Sequence, residues 1–310
     1  MHTLTHCELC PRRCGADRTK GVGFCGAGDK LRLAKAMLHE GEEPCLIGQK
    51  GGGRYGAGAV FFSGCNLQCV FCQNYEISLE HRGWEVPEER LSEIFLELQE
   101  AGAASLDLVT PTPWVSFVAM SLRTLREEKK LQIPVVYNCG GYERTEALRC
   151  LEGLVDIYLP DLKYMDSVLS ARYSGAEDYF SYASQALLEM YHQVGPAAFS
   201  PNGQMEKGLL IRHLVLPGCV EDSVRLMRWL GENFPEGSIR VSLLAQYTPY
   251  GDLENYPELR RRITTYEYEK VVKAADEAGL LGYRQFRSSA TMELRPAFDG
   301  SGLHQNIIAK

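Results

Sequence analysis

Gly58-Ala-Val-Phe-Phe-Ser-Gly-Cys65-Asn-Leu-Gln-Cys69-Val-Phe-Cys72 is an apolar run that breaks at Ser63-Gly64 into a loop carrying three cysteines. The run reads as a buried strand, which places the loop at a strand's carboxyl end, where α/β sheets and barrels carry their chemistry. Thiolates spaced by three and then two residues can hold three corners of a [4Fe-4S] cluster, and no fourth cysteine follows nearby to close the last corner. One iron then stays open for a ligand. The competing reading is a zinc site, or reduced thiols buried as small apolar side chains.

A chain of 310 residues with 45% hydrophobic content can bury a full core, and barrels of this length commonly form one domain. A formal charge of -7 and an isoelectric point near 5.6 announce no basic face for a sequence-independent grip on nucleic acid. No apolar stretch is long enough to span a bilayer, and Met1-His-Thr-Leu-Thr-His lacks the charged-then-apolar pattern of a signal peptide. A cytoplasmic protein without a membrane partner is the expectation. Eleven cysteines at clustered short spacings then point to metal ligation in a reducing compartment, not to disulfides.

A second group opens the chain: Cys7-Glu-Leu-Cys10-Pro-Arg-Arg-Cys14, followed by Cys25. The two-residue gap lets Cys7 and Cys10 face one metal, and Cys14 and Cys25 can complete a closed four-thiolate site. Zinc and a second iron-sulfur cluster both accept that donor set, and so polar a segment needs a staple to fold.

The chain divides into residues 1–56, a four-cysteine metal-binding extension and connector with a short helix over Lys30 to His39, and residues 57–310, the catalytic unit. Apolar runs at Gly58 to Phe62, Leu106 to Val109, Ile133 to Tyr137, Val155 to Leu159, Leu209 to Leu216 and Ile239 to Leu244 read as six strands. Amphipathic stretches alternate with them: Glu88 to Glu100, Val115 to Glu128, Glu143 to Glu152, Tyr179 to His192, Val220 to Asn233 and Tyr266 to Ala278. Such alternation gives parallel strands with right-handed crossovers, and six units suit an incomplete α/β barrel with a lateral opening.

The C-x3-C-x2-C spacing, with Phe71 just before the last cysteine, resembles the signature of the radical S-adenosylmethionine (SAM) superfamily. The resemblance implies a partial (β/α)6 radical-SAM barrel with a small N-terminal cysteine-rich metal-binding extension. It implies that SAM chelates the open iron and is reductively cleaved to a 5'-deoxyadenosyl radical, with Phe71 packing against the nucleoside. Thr110 and Thr112 stand where many members carry a Gly-Gly-Glu motif that holds the amino group of SAM. Tyr137-Asn-Cys-Gly-Gly-Tyr142 resembles the Asp-Thr-Asn-Gly segment of pyruvate formate-lyase activating enzyme, with Asn138 and Cys139 in the first two places and the charge lost. Asp161 and Lys163 match an Asp-x-Lys after the fourth strand and alternate onto one face, so both can point into the barrel mouth. Arg212, before His-Leu-Val-Leu-Pro217, matches the arginine of the fifth strand and is the candidate carboxylate clamp, which turns His213 to the opposite face. Gln246, with Tyr247, stands where the activating enzyme presents a histidine near the adenosine. Trp84, Trp114, Tyr142 and Tyr164 are candidates to line a substrate mouth.

Together with His39-Glu-Gly-Glu-Glu-Pro44, these segments are similar to the paralogous pyruvate formate-lyase activating proteins along nearly the whole chain. The implied function is that of an oxidoreductase whose radical abstracts hydrogen from a glycine or other residue of a protein or peptide partner. Its electron donor would be of the flavodoxin or ferredoxin kind. The alternatives are radical modification of a small molecule or RNA, or a non-catalytic iron-sulfur electron carrier or redox sensor.

Overall fold

The computed structural model describes residues 4–51, 53–285 and 296–304. In chain order the elements are β1 (Arg32–His39), α1 (Pro44–Ile47), β2 (Ala57–Phe62), α2 (Tyr75–Ser78), β3 (Trp84–Glu85), α3 (Glu88–Glu100), β4 (Ser105–Val109) and α4 (Val115–Glu127). There follow β5 (Val135–Cys139), α5 (Thr145–Leu148), β6 (Ile157–Pro160), α6 (Ser167–Ser174), α7 (Tyr179–Val194), β7 (Ala198–Phe199) and β8 (Met205–Leu214). The last are α8 (Val220–Asn233), β9 (Arg240–Leu244), α9 (Thr265–Glu277) and β10 (Gly282–Arg284).

One sheet runs β10-β9-β8-β6-β5-β4-β2-β1-β3, and β7 pairs with β8 off that path. The six expected strands are β2, β4, β5, β6, β8 and β9, all parallel and adjacent in that order. The sheet's ends, β3 and β10, pair with one neighbour each among the described residues, so the α/β barrel is unclosed. Three strands were not expected at the sheet's ends: β10 extends the parallel set beyond β9, while β1 and β3 add antiparallel pairs beyond β2.

The segment Lys30 to His39, expected as a short helix, is instead the strand β1, paired from Leu33↔Phe62 to His39↔Ala57. Leucine, alanine, lysine and methionine favour helix locally, but pairing with β2 and burial of Leu33, Ala34 and Ala36 decide otherwise. The expected helix Glu143 to Glu152 is shorter: it begins at Thr145, since Glu143 is buried in the preceding turn, and passes from α5 into a 3-10 turn at Arg149–Leu151.

Parallel strands covered on both faces read as continuous apolar runs, and the period of two assigns each residue to a side. Leu106, Leu108, Val135, Tyr137 and Tyr158 fall on the outer side, in one core with Leu91, Ile94, Leu98, Val118 and Leu122 of α3 and α4. Val136, Ile157, Leu159 and Leu210 face the concave side and meet Cys45 and Leu46 of α1, so the β1–β2 connector fills the end of the barrel opposite the cysteine loop. No described helix is long and apolar enough to cross a membrane.

Candidate functional site

Strand β2 ends at Phe62, and the chain turns through Ser63 and Gly64 into the three-cysteine loop. Gly64 has φ +91°, and a Cβ there would sit 2.3 Å from the Cys25 carbonyl oxygen. Only glycine allows both the left-handed turn and this approach. Gly64→Ala is expected to destabilise the chain by about 1–3 kcal/mol in chemical denaturation, the usual cost of a strained backbone position; an unchanged midpoint would show that the loop can shift freely.

Each of the three sulfurs accepts a hydrogen bond. The Leu67 amide donates to Cys65 Sγ at 3.4 Å, the Ser174 hydroxyl to Cys69 Sγ at 2.9 Å and the Ser78 hydroxyl to Cys72 Sγ at 3.2 Å. Burial, reinforced by the neighbouring Cys69 and Cys72, pushes the Cys65 thiol up to about 12. Bound iron removes that penalty, since a coordinating thiol is deprotonated outright. Donors aimed at three thiolates are the surroundings that tune an iron-sulfur cluster, and these residues fit one. Phe71 stands in a cage of tyrosines, edge-on to Tyr164, Tyr173 and Tyr247 at 6.3–6.5 Å between ring centres.

Beside the loop, Lys163 Nζ donates to Asp161 Oδ2 at 2.6 Å. Burial opposes the ammonium charge, yet Asp161 and the Cys69 thiolate outweigh it and hold Lys163 above its ordinary value. The pair is fixed by Tyr179, whose one hydroxyl proton is shared between the carbonyls of Asp161 and Gly140 while its oxygen accepts from the Lys163 amide. A Cβ at Gly140 would lie 2.7 Å from Leu67 Cδ1 of the cysteine loop, so the turn after β5 closes directly onto that loop.

The other expected strand-end residues are distributed differently. Thr110 is half-buried with φ +59°, a strained value for a β-branched residue, and its amide is held by the Asn138 carbonyl. Thr112 is buried and donates to Glu143 Oε1, away from Lys163. Cys139 is buried in the outer core beside Glu143. Asn138 faces inward and donates to Asp107 Oδ2 at 3.3 Å. Gln246 accepts from Gln285 Nε2 at 3.0 Å. Arg212 is enclosed by two carboxylates: Nε donates to Glu43 Oε1 at 2.8 Å, and Nη2 to both Glu42 and Glu43. His213 does point the other way, buried between the Leu162 carbonyl and the Ser223 hydroxyl. Trp114, Tyr142 and Tyr164, candidates for a mouth, are core residues at 1–2% exposure, and only Trp84 reaches solvent.

Four acidic groups escaped the sequence reading. Glu42 and Glu43 enter the barrel from the connector, where burial opposes the Glu43 charge but Arg212 outweighs it and holds the carboxyl below its usual range. Asp107, fully buried on β4, has one oxygen without a partner, and burial, then the Glu42 charge, push its carboxyl well upward. An acidic residue at an inward position of an otherwise apolar strand was the available signal. Glu143 is pushed up to about 8, chiefly by burial. Its folded value lies above its unfolded value of 4.5, so the folded state holds the extra proton and stability is lost as pH rises from about 4.5 through about 8. Glu143→Gln is expected to flatten that slope and to stabilise the chain by a few kcal/mol above pH 8, roughly the size of a shift this large; unfolding curves at pH 5 and pH 9 check it.

The N-terminal cysteines also come together. Cys7, Cys10, Cys14 and Cys25 line one small cavity with Arg12, Arg18, Asn66 and Thr112, enclosing about 10 Å³ of free volume, room for one atom-sized occupant. Burial, chiefly, pushes Cys10 up to about 12 and raises Cys25 as well. Among the described residues, no three His, Cys, Asp or Glu side chains converge as they stand on the geometry of a single metal ion.

Residues 50–173 match the family model described as a 4Fe-4S single cluster domain. A curated relative, uncharacterized protein MJ0674 of Methanocaldococcus jannaschii, is 27% identical over 288 residues, covering 89% of this chain and 75% of its own. Among solved structures, a radical SAM methyltransferase from Sphaerobacter thermophilus is similar at TM-score 0.49 and 14% identity, covering 73% of this chain and 65% of that one. Methylornithine synthase is similar at TM-score 0.45 and 17% identity, covering 79% and 67%. At these scores the two structural likenesses are partial. The stretch that matches the 4Fe-4S single cluster domain contains the strand-end C-x3-C-x2-C loop of Cys65, Cys69 and Cys72.

Proposed function

We propose that this chain reductively cleaves SAM at a [4Fe-4S] cluster held by Cys65, Cys69 and Cys72 and uses the resulting 5'-deoxyadenosyl radical to abstract hydrogen from a protein or peptide. The single observation that carries the reading is the Lys163–Asp161 pair lying beside Cys69 at the carboxyl edge of an open sheet. When bound, the cluster supplies one electron from a flavodoxin- or ferredoxin-type donor, and that electron breaks the sulfonium C–S bond. The chain's own residues do the rest. Lys163 offers a compact cation for the SAM carboxylate, Asp161 orients it, and Thr110 presents its hydroxyl from a strained turn. An open barrel edge suits a polypeptide loop, as in glycyl-radical activation.

The test is 5'-deoxyadenosine formation by the anaerobically reconstituted chain, with and without candidate peptides. Stimulation by a small metabolite and by no polypeptide would reject the protein substrate. Lys163→Ala is expected to weaken SAM binding about tenfold or more with iron content retained, since a charged contact to a carboxylate is worth roughly 1.5–3 kcal/mol; equal loss of both would make Lys163 structural. A small polar substrate is the second reading, favoured by the charged concave face formed by Asp107, Asn138, Glu42, Glu43 and Arg212.

At the N-terminus we favour zinc over a second iron-sulfur cluster at Cys7, Cys10, Cys14 and Cys25, because four thiolates on a short segment without helix or strand suit a closed tetrahedral structural site.

A further inference from the structure

Arg12 lies between Cys10 and Cys14, yet its guanidinium is spent outside the four-thiol loop. Nε donates to the Asn66 carbonyl at 2.8 Å, Nη2 to those of Ser174 at 2.7 Å and Leu67 at 3.3 Å, and Nη1 to that of Gly175. Asn66 and Leu67 are the residues immediately after Cys65, and Ser174 is the residue whose hydroxyl donates to Cys69 Sγ. The guanidinium also packs over the rings of Phe24 at 4.3 Å and Tyr142 at 5.4 Å. A planar fork that satisfies four carbonyls on two separate segments fixes their relative position, which a point charge cannot do.

Two further ties run the same way. The Cys65 amide donates to the Cys25 carbonyl at 3.2 Å, and Gln68 Nε2 to the Phe24 carbonyl at 2.7 Å. The stretch from Cys65 to Cys69 is therefore held along its length by the N-terminal segment. That segment has no helix or strand between residues 4 and 31, and it is held by scattered contacts, among them Arg18 to the Pro113 carbonyl and Arg144 to the Glu8 carbonyl, so closure of its four thiols would fix the turn that carries Arg12.

We propose that Arg12 is a positioning residue for the cluster loop, and that the N-terminal four-thiol centre is a clasp whose metal occupancy sets how firmly Cys65 and Cys69 hold the cluster. The inference rests on the cluster and the N-terminal metal assigned under the proposed function.

The test compares full-length wild type, Arg12→Met, Arg12→Lys and the double variant Cys7→Ala, Cys10→Ala after anaerobic reconstitution. Iron stripping by a chelator is followed by visible absorbance, with the electron paramagnetic resonance spectrum of the reduced cluster and elemental analysis of zinc and iron. Arg12→Met should lose cluster iron about tenfold faster, the usual cost of removing a group that orients a metal ligand, with zinc content and the thermal midpoint unchanged. Arg12→Lys should fall between, and the double variant should match Arg12→Met. A wild-type stripping rate in Arg12→Met overturns the positioning role; a wild-type rate in the double variant overturns the clasp. Amide exchange at residues 65–69 in the iron-free chain makes the same comparison where a variant takes up no cluster, with faster exchange in Arg12→Met expected and unchanged exchange counting against it. Elemental analysis of the unmodified chain separates failure of the metal assignments from failure of this inference, since missing iron or zinc there indicts the assignments alone.

Discussion

Replacing Cys65, Cys69 and Cys72 together by alanine is expected to abolish 5'-deoxyadenosine formation and to remove all iron bound at the β2 loop, while the barrel still folds. The loss should be complete because the other thiols are engaged elsewhere: Cys25 lines the N-terminal four-thiol cavity, Cys219 lies against Tyr173, Cys139 is buried on the outer side of β5 with Glu143, and Cys45 fills the far end of the barrel against Val136 and Leu159. Cys45→Ala serves as the control, with cluster and product retained. Folding should survive because the three thiols contribute little to the apolar core, which is carried by the strand faces and helices α3, α4 and α7. Iron remaining in the triple variant would have a different meaning from product remaining. Residual iron removed by further substitution of Cys7 and Cys10 would make the N-terminal centre a second cluster, against the zinc assignment, whereas residual product would reject the cluster loop as the source of the radical.

Both the cluster loop and the parallel order of six strands were legible because each rests on short-range pattern: cysteine spacing within one loop, and apolar runs long enough to be strands buried on both faces. What was missed depends on contacts distant in sequence. The segment from Arg32 to His39 is locally helix-forming and becomes a strand only because β2 lies beside it and residues 297–303 cover its other edge, where the Ala36 amide meets the Ser301 carbonyl. Helix α6, by contrast, carried readable signals that went unused: Asp166 caps its first turn by accepting from the Val168 and Leu169 amides, and Gly175 ends it in a left-handed conformation. At the site, Asp161 and Lys163 were placed together correctly because two residues apart on an extended chain share a face. The environment of Arg212 was not foreseeable from its own strand, since Glu42 and Glu43 arrive from a connector about 170 residues earlier. The same limit hid Arg12, whose partners lie 54 to 163 residues away.

The double variant Cys7→Ala, Cys10→Ala is expected to lose the N-terminal metal and to expose residues 4–31 to protease, with the barrel's unfolding transition retained. Ordering those residues costs about 1–2 kcal/mol each in backbone entropy alone. The segment has little to set against that cost: Leu9 and Leu31 are buried, but Val22 is 63% and Phe24 43% exposed. Hydrogen bonds from Arg12 and Arg18 to the body of the protein add several favourable contacts, each worth roughly 1 kcal/mol net. A thiolate-bound metal would be the largest single favourable contribution to the segment, since zinc binding contributes about 10–16 kcal/mol in small metal-stapled domains. Without it, burial keeps Cys10 and Cys25 as uncharged thiols, small apolar side chains that tie the segment to nothing directional. Limited proteolysis alongside zinc and iron analysis reads both halves of the expectation. Full metal content together with wild-type protease resistance would remove the site, and loss of metal with resistance retained would make it an occupant of a segment already folded by the barrel.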